Sequence, residues 1–369
     1  MINKDRLGYY RVGFKRFHNK TMAILESYNT GYKLEWIFND DIYGAIDWTI
    51  PINVPLVELY RIRAQQIRDT YDYICLYYSG GADSNNVLHA FIDNNIFIDE
   101  IIMFQPESDK NNLNDYDRSN RNSFAEIEYE AKRRLHEYRN IIHPDTKIRE
   151  FDIGNPTFEL LKKDNWFEFN PFEIGYGIVQ LAREYGSFKD TMKLASLNEN
   201  KNIAIILGVD KPLVFFDGND YYCYFSDTNA YHTPPVDYLQ NRFLNNCFTE
   251  LFYWSPDLPE IVVKQAQEVK KHAELDIHIK HMLSKIMERH IEEYRGILHP
   301  IIYPPHTEPK FQTAKGSPTT KQRKKEDWFW QTAGQNIQHN YQDTINYLKS
   351  SLKKKKLDFE AMNKGFYKL

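Results

Sequence analysis

Cysteine is scarce in this chain: its 369 residues hold only Cys75, Cys223 and Cys247. With no CxxC pair among them, a disulfide framework and a four-cysteine zinc site within the chain are excluded. Long apolar runs are also missing. No stretch reaches the roughly 18 apolar residues of a membrane span, and the opening MINKDRLGYYRVGFKRFHNK lacks the apolar centre of a signal peptide. A soluble, cytoplasmic protein with no membrane partner is expected. The abundance of Asn, Lys, Tyr and Ile suggests an AT-rich genome, hence the cytoplasm of a bacterium or a phage-infected host. Charge of one sign is in short supply: 47 Lys and Arg face 51 Asp and Glu, a formal net charge of −4, so no global basic field argues for nucleic acid. Neither a Walker GxxxxGK[ST] loop nor an HExxH pair occurs, and Gly175/Gly177 does not complete a dinucleotide fingerprint. His272, His278, His281 and His290 offer no obvious third ligand, so no histidine-bound metal is expected.

What is present centres on Tyr71 to Asn95, YDYICLYYSGGADSNNVLHAFIDNN. A β-favouring run, Tyr73 to Tyr78, meets a glycine turn, and Val87, Leu88 and Phe91 then recur at helical spacing. Strand, glycine loop and helix in this order build a place for an anion. Adjacent glycines let the backbone approach a ligand, and the first free N–H groups of the helix point at it. Ser79 and Ser84 supply hydroxyls at the two ends of the loop. Asp83 supplies a carboxylate that could cap the helix or help hold Mg²⁺.

Ser79-Gly80-Gly81-Ala82-Asp83-Ser84 resembles the SGGxDS pyrophosphate loop of the PP-loop ATP pyrophosphatases, the adenine nucleotide alpha hydrolase-like superfamily, near its asparagine synthetase and PAPS reductase-like branches. The resemblance covers roughly residues 70 to 215. It implies an α/β fold with a doubly wound, Rossmann-like parallel sheet, ATP and Mg²⁺ as ligands, and the six loop residues as the ATP and pyrophosphate site. It also implies that adenine is recognised at the end of the second strand, at Met103, Phe104 and Gln105.

The rest of the chain is read around that unit. Residues 1–69 form an N-terminal cap whose aromatics, among them Tyr10, Trp36, Phe38 and Trp48, are core material. The helix from Pro55 to Arg68 buries Leu59, Ile62 and Ile67 and leaves Arg61, Arg63 and Arg68 to solvent. Residues 70–226 form the nucleotide-binding domain. Ile101 to Phe104, Thr146 to Ile153 and Asn202 to Leu207 are further strands of the sheet, and the polar segment 107–123 is a surface loop or a lid. Gly208 ends a strand, which places Asp210 and Lys211 on the triphosphate edge, Lys211 as a catalytic cation with Asp83 and Asp210 as a phosphate or substrate contact. The strand Tyr221 to Phe225 could complete the sheet or shape a pocket.

Residues 227–369 form a mostly helical region with a basic tail. There Lys321, Arg323, Lys324 and Lys325 precede Trp328-Phe329-Trp330. Such a tail could bind single strands by charge and stacking, or be a solvated helix face pinned by its aromatics.

Departures from the family narrow the activity. The chain lacks the N-terminal cysteine and glutaminase domain of glutamine-dependent asparagine synthetases, the zinc-binding cysteine quartet of the deazaguanine enzyme, the paired cysteines of many tRNA thiolases and the C-terminal cysteine motif of PAPS reductases. The expected activity is adenylation of an unidentified small-molecule or nucleic-acid acceptor, with pyrophosphate released, for amide, amine or thio transfer. The alternatives are a PAPS-reductase-like enzyme and a non-catalytic adenine-nucleotide-binding protein that engages nucleic acid or a protein. A homo-oligomer is compatible with each.

Overall fold

The computed structural model describes residues 4–107, 127–168, 178–227, 246–284, 291–307, 321–353 and 366–369. Segment 107–123 therefore lies outside the described residues except for Glu107, as do His290 and the side chains of Lys321, Arg323, Lys324 and Lys325.

The chain opens with a small antiparallel sheet of β1 (Tyr9–Val12), β2 (Lys15–Phe17) and β3 (Leu34–Ile37), in the order β2-β1-β3. The helix between its second and third strands, α1 (Lys20–Thr30), is bounded by its own sequence. Asn19 caps it by accepting the Met22 N–H at 3.0 Å, and Gly31, at φ 75°, ends it by returning its N–H to Ser27. After α2 (Asp40–Tyr43), α3 (Leu56–Thr70) carries the chain into the central unit.

That unit alternates strand and helix: β4 (Tyr73–Tyr77), α4 (Ala82–Ile92), β5 (Glu100–Gln105), α5 (Lys132–Glu137), β6 (Lys147–Asp152), α6 (Gly154–Leu161), α7 (Ile178–Leu197) and β7 (Ile203–Leu207). Next come the short strands β8 (Leu213–Phe216) and β9 (Tyr221–Tyr224), and β10 (Cys247–Leu251). Five strands make one parallel sheet in the order β10-β7-β4-β5-β6. Helices cover both faces. The Tyr77 hydroxyl reaches Ser187 and Thr191 of α7 on one side, and the Tyr78 hydroxyl reaches Asn85 of α4 on the other. Ile203–Leu207 is buried at every position, as a central parallel strand requires.

Two sequence expectations are corrected here. Tyr221–Tyr224 does not complete the parallel sheet; β9 pairs antiparallel with β8 and with β11 (Tyr367–Lys368). The fifth parallel strand is Cys247–Leu251, so the sheet runs past the boundary expected at residue 226. Its pattern, CFTEL, hides it, because Glu250 interrupts the apolar run while being only 3 % exposed. The second correction explains how that charge is tolerated: Arg63 is not on a solvated face but is 1 % exposed and paired with Glu250, which also accepts the Tyr71 hydroxyl.

Beyond the sheet lie α8 (Glu260–Leu275), α9 (Ile277–Ser284), α10 (Ile291–Ile302), α11 (Lys321–Thr332) and α12 (Gln335–Lys353). Trp328 and Phe329 of α11 are fully buried in a second core with Leu161, Trp166, Leu181 and Tyr341, so these two rings are not a platform for nucleic-acid bases. Most cap aromatics are core as expected, Trp36 and Phe38 included, but Phe14 is wholly exposed. Among the described residues no helix is long and apolar enough to cross a membrane.

Candidate functional site

Strand order fixes where a ligand can enter. From β4 the chain proceeds to β5 and β6 on one side, then returns past β4 to build β7 and β10 on the other. The connections after β4 and β7 leave in opposite directions, which opens a crevice at the carboxyl ends of these two strands. Residues 79–84 follow β4 and residues 208–211 follow β7, so the two segments selected from the sequence face each other across that crevice.

The loop is internally braced. The Ser84 hydroxyl accepts the Ser79 N–H at 3.2 Å and lies 3.1 Å from the Ser79 hydroxyl, which in turn accepts the Gly81 N–H at 3.3 Å. Gly80 sits at φ 77°, and a Cβ there would come 2.7 Å from the Ala131 nitrogen, so both conformation and space demand glycine. Gly208 serves a different need: a Cβ on it would lie 3.0 Å from the Asp83 carbonyl carbon and the Ser84 nitrogen. Its lack of a side chain is what lets the β7 end approach the loop. Ala82 is buried at the start of α4.

Asp83 is the meeting point. Its side chain makes no cap bond to α4; instead Lys211 Nζ lies 2.5 and 2.7 Å from its two carboxylate oxygens, and the Tyr303 hydroxyl donates to Oδ1 at 2.6 Å. Burial raises the Asp83 carboxyl, but the Lys211 ammonium and the Tyr303 hydroxyl outweigh it and hold the group well below the usual carboxylate range. Burial and the Asp83 charge push the Tyr303 phenol well above its ordinary value, so it stays a neutral donor. The Asp83 backbone carbonyl accepts the Tyr253 hydroxyl at 2.8 Å, and Asp210 accepts the Lys211 N–H at 2.6 Å. Lys211 is 2 % exposed overall, whereas the Asp83 side chain remains 31 % exposed. The carboxylate therefore faces the crevice, while its counter-ion comes from below.

The three positions assigned to adenine lie at the end of β5 and differ in what they offer. Met103 is 3 % exposed and its side chain belongs to the core. The buried Gln105 amide donates to Glu128 and Glu150, each at 2.8 Å. Phe104 packs edge-on against Tyr77. Pairing of β4 with β5 ends at Tyr77 and Ile102, after which the Tyr78 N–H meets the Ile102 carbonyl. By strand alternation Phe104 turns its backbone N–H and carbonyl to the side that β4 has vacated. Of the three, Phe104 is placed to present main-chain polar groups to a flat base.

Sequence reasoning missed Tyr253 and Tyr303. They come from the end of β10 and the end of α10, and nothing local in the sequence marks either among 26 tyrosines. The three thiols take no part here: burial pushes those of Cys75 and Cys223 well up and that of Cys247 up to about 12, which leaves none poised as a thiolate. No known family model matches the chain, and no curated protein matches its sequence.

Proposed function

We propose that this chain is an ATP pyrophosphatase of the PP-loop type, built on a doubly wound, Rossmann-like sheet of the adenine nucleotide alpha hydrolase kind, and that it adenylates an acceptor with release of pyrophosphate. The observation that carries this reading is the convergence of the Ser79–Ser84 loop and the Gly208–Lys211 segment, joined through Asp83 and Lys211, at the point where the strand order reverses.

The chemistry needs an in-line displacement at the α-phosphorus. An acceptor oxygen forms the new P–O bond, the bond between the α-phosphorus and its bridging oxygen breaks, and both electrons of that bond leave with pyrophosphate. The residues' task is to hold the leaving group and offset its charge. The N–H groups from Gly80 to Ser84 and the hydroxyls of Ser79 and Ser84 would cradle pyrophosphate at the start of α4. Lys211 supplies a fixed ammonium beside it. Asp83 offers the hard, partly exposed carboxylate that magnesium favours, with the remaining ligands drawn from phosphate oxygens and water. Magnesium bound there would screen the charge that develops on the leaving pyrophosphate. In the described conformation Lys211 neutralises Asp83, and the shift of that ammonium from carboxylate to phosphate is the rearrangement that binding would require. Burial of Cys75 and Cys223 and the raised thiol of Cys247 count against the PAPS-reductase-like alternative, which would need a cysteine nucleophile.

Titration calorimetry with Mg-ATP and Mg-pyrophosphate tests the reading at the level of binding. Wild type should bind both, and Lys211→Ala should weaken each by about ten-fold or more, as loss of a charged hydrogen bond implies. Absence of binding to either ligand by the wild type would overturn it.

A further inference from the structure

A second cluster lies at the far end of α4 from the loop. His89 and Asp93 stand one helical turn apart there, and His306 reaches Asp93 from the turn Pro305–Thr307, 213 residues further along the chain. His89 Nδ1 is 3.0 and 3.1 Å from the two Asp93 oxygens, His306 Nε2 is 3.0 Å from Asp93 Oδ2, and one ligand atom from each residue falls within 4.8 Å of the others. Four-coordinate zinc, with ligands at roughly 2.0–2.1 Å, sets neighbouring ligand atoms about 3.3 Å apart. Two of the three spacings, at 3.0–3.1 Å, already lie within about 0.3 Å of that value. The donor set also discriminates: two imidazoles and one carboxylate suit a borderline-soft cation, whereas magnesium and calcium favour oxygen alone. The side chains of Asp93 and His306 are 41 % and 55 % exposed, which leaves an entry path and room for a water ligand.

We propose that His89, Asp93 and His306 form a binding site for a zinc-class divalent cation, which clamps the turn after α10 onto α4. The clamp has a reach beyond its ligands. Tyr303, which donates to Asp83, lies three residues before His306, and the Thr307 carbonyl accepts the Asn85 amide of α4 at 3.0 Å. One short strap thus touches both ends of the helix that carries the glycine loop. The proposal does not depend on what that loop binds.

The test uses the untagged full chain stripped with chelator. Cobalt(II) titration should give one equivalent of a visible absorption band typical of four-coordinate nitrogen and oxygen ligation, and zinc should displace it. His306→Ala, at a half-exposed position, should fold normally by circular dichroism and lose affinity by more than the roughly ten- to hundred-fold that loss of an outer-shell partner costs. The control His281→Ala, at an exposed position on α9, should bind as wild type does. Zinc should also slow hydrogen exchange in residues 299–307 and in the loop 79–84. Cobalt binding that is absent in the wild type, or unchanged in His306→Ala, overturns the site. Zinc binding that leaves exchange in the loop unaltered overturns the clamp.

Discussion

At the scale of single residues the site turns on Asp83, whose carboxylate holds Lys211 and Tyr303 at once. Asp83→Ala removes the group that fixes both partners and would bind magnesium. Turnover should fall by roughly 10²-fold or more, with the fold retained by circular dichroism. Tyr303→Phe deletes one donor and keeps the ring, so a loss of only a few-fold is expected, equivalent to about 1 kcal/mol. Gly80→Ala addresses conformation instead of charge. At φ 77° and against the Ala131 backbone, the added methyl should cost about 2 kcal/mol or more in urea unfolding. The loop residues were legible in the sequence because glycine, serine and aspartate serve local geometry. Tyr253 and Tyr303 were not, since their role arises only when distant strand and helix ends meet.

At the scale of elements, alternation of apolar strand and periodic helix was enough to place β4, β5 and β7, because each buries a continuous apolar run, whereas β6, KIREFD, is fully buried at no position. It failed for β10 and for one face of α3, where Arg63 and Glu250 bury charge by pairing with each other across 187 residues of sequence. Periodicity assigns charge to solvent, and only tertiary structure supplies the partner. A second buried charge group carries a pH signature. Asp190 of α7 lies 3.0 Å from Arg149 of β6, yet burial pushes its carboxyl up to about 6. The folded chain then keeps a proton that the unfolded chain has released, so this group's contribution to stability falls as pH rises from about 4 to about 6. In Asp190→Asn that dependence disappears. The unfolding free energy of the variant relative to wild type should rise by roughly 2 kcal/mol across this interval, whatever the offset between them at low pH. Parallel urea titrations at the two pH values check it.

At the scale of the whole molecule, residues from both ends of the chain pack together. Tyr367 of β11 stacks on Trp48 at 4.8 Å between ring centres, within a cluster that includes Tyr43 and Phe225. Tyr367→Ala should therefore lower unfolding free energy by about 3 kcal/mol, while Phe14→Ala, at a wholly exposed ring, should change it by less than about 0.5 kcal/mol. The same global arrangement gives the loop its meaning: a glycine turn is ordinary until the strand order puts it opposite Lys211 across a crevice. The measurement that bears most directly on the proposed activity is which bond of ATP is broken. With magnesium and an extract of metabolites and RNA, wild type should release AMP and pyrophosphate in equal amounts, and Asp83→Ala should not. Release of ADP and phosphate instead, or tight ATP binding without any cleavage across a broad acceptor screen, would contradict an adenylating enzyme.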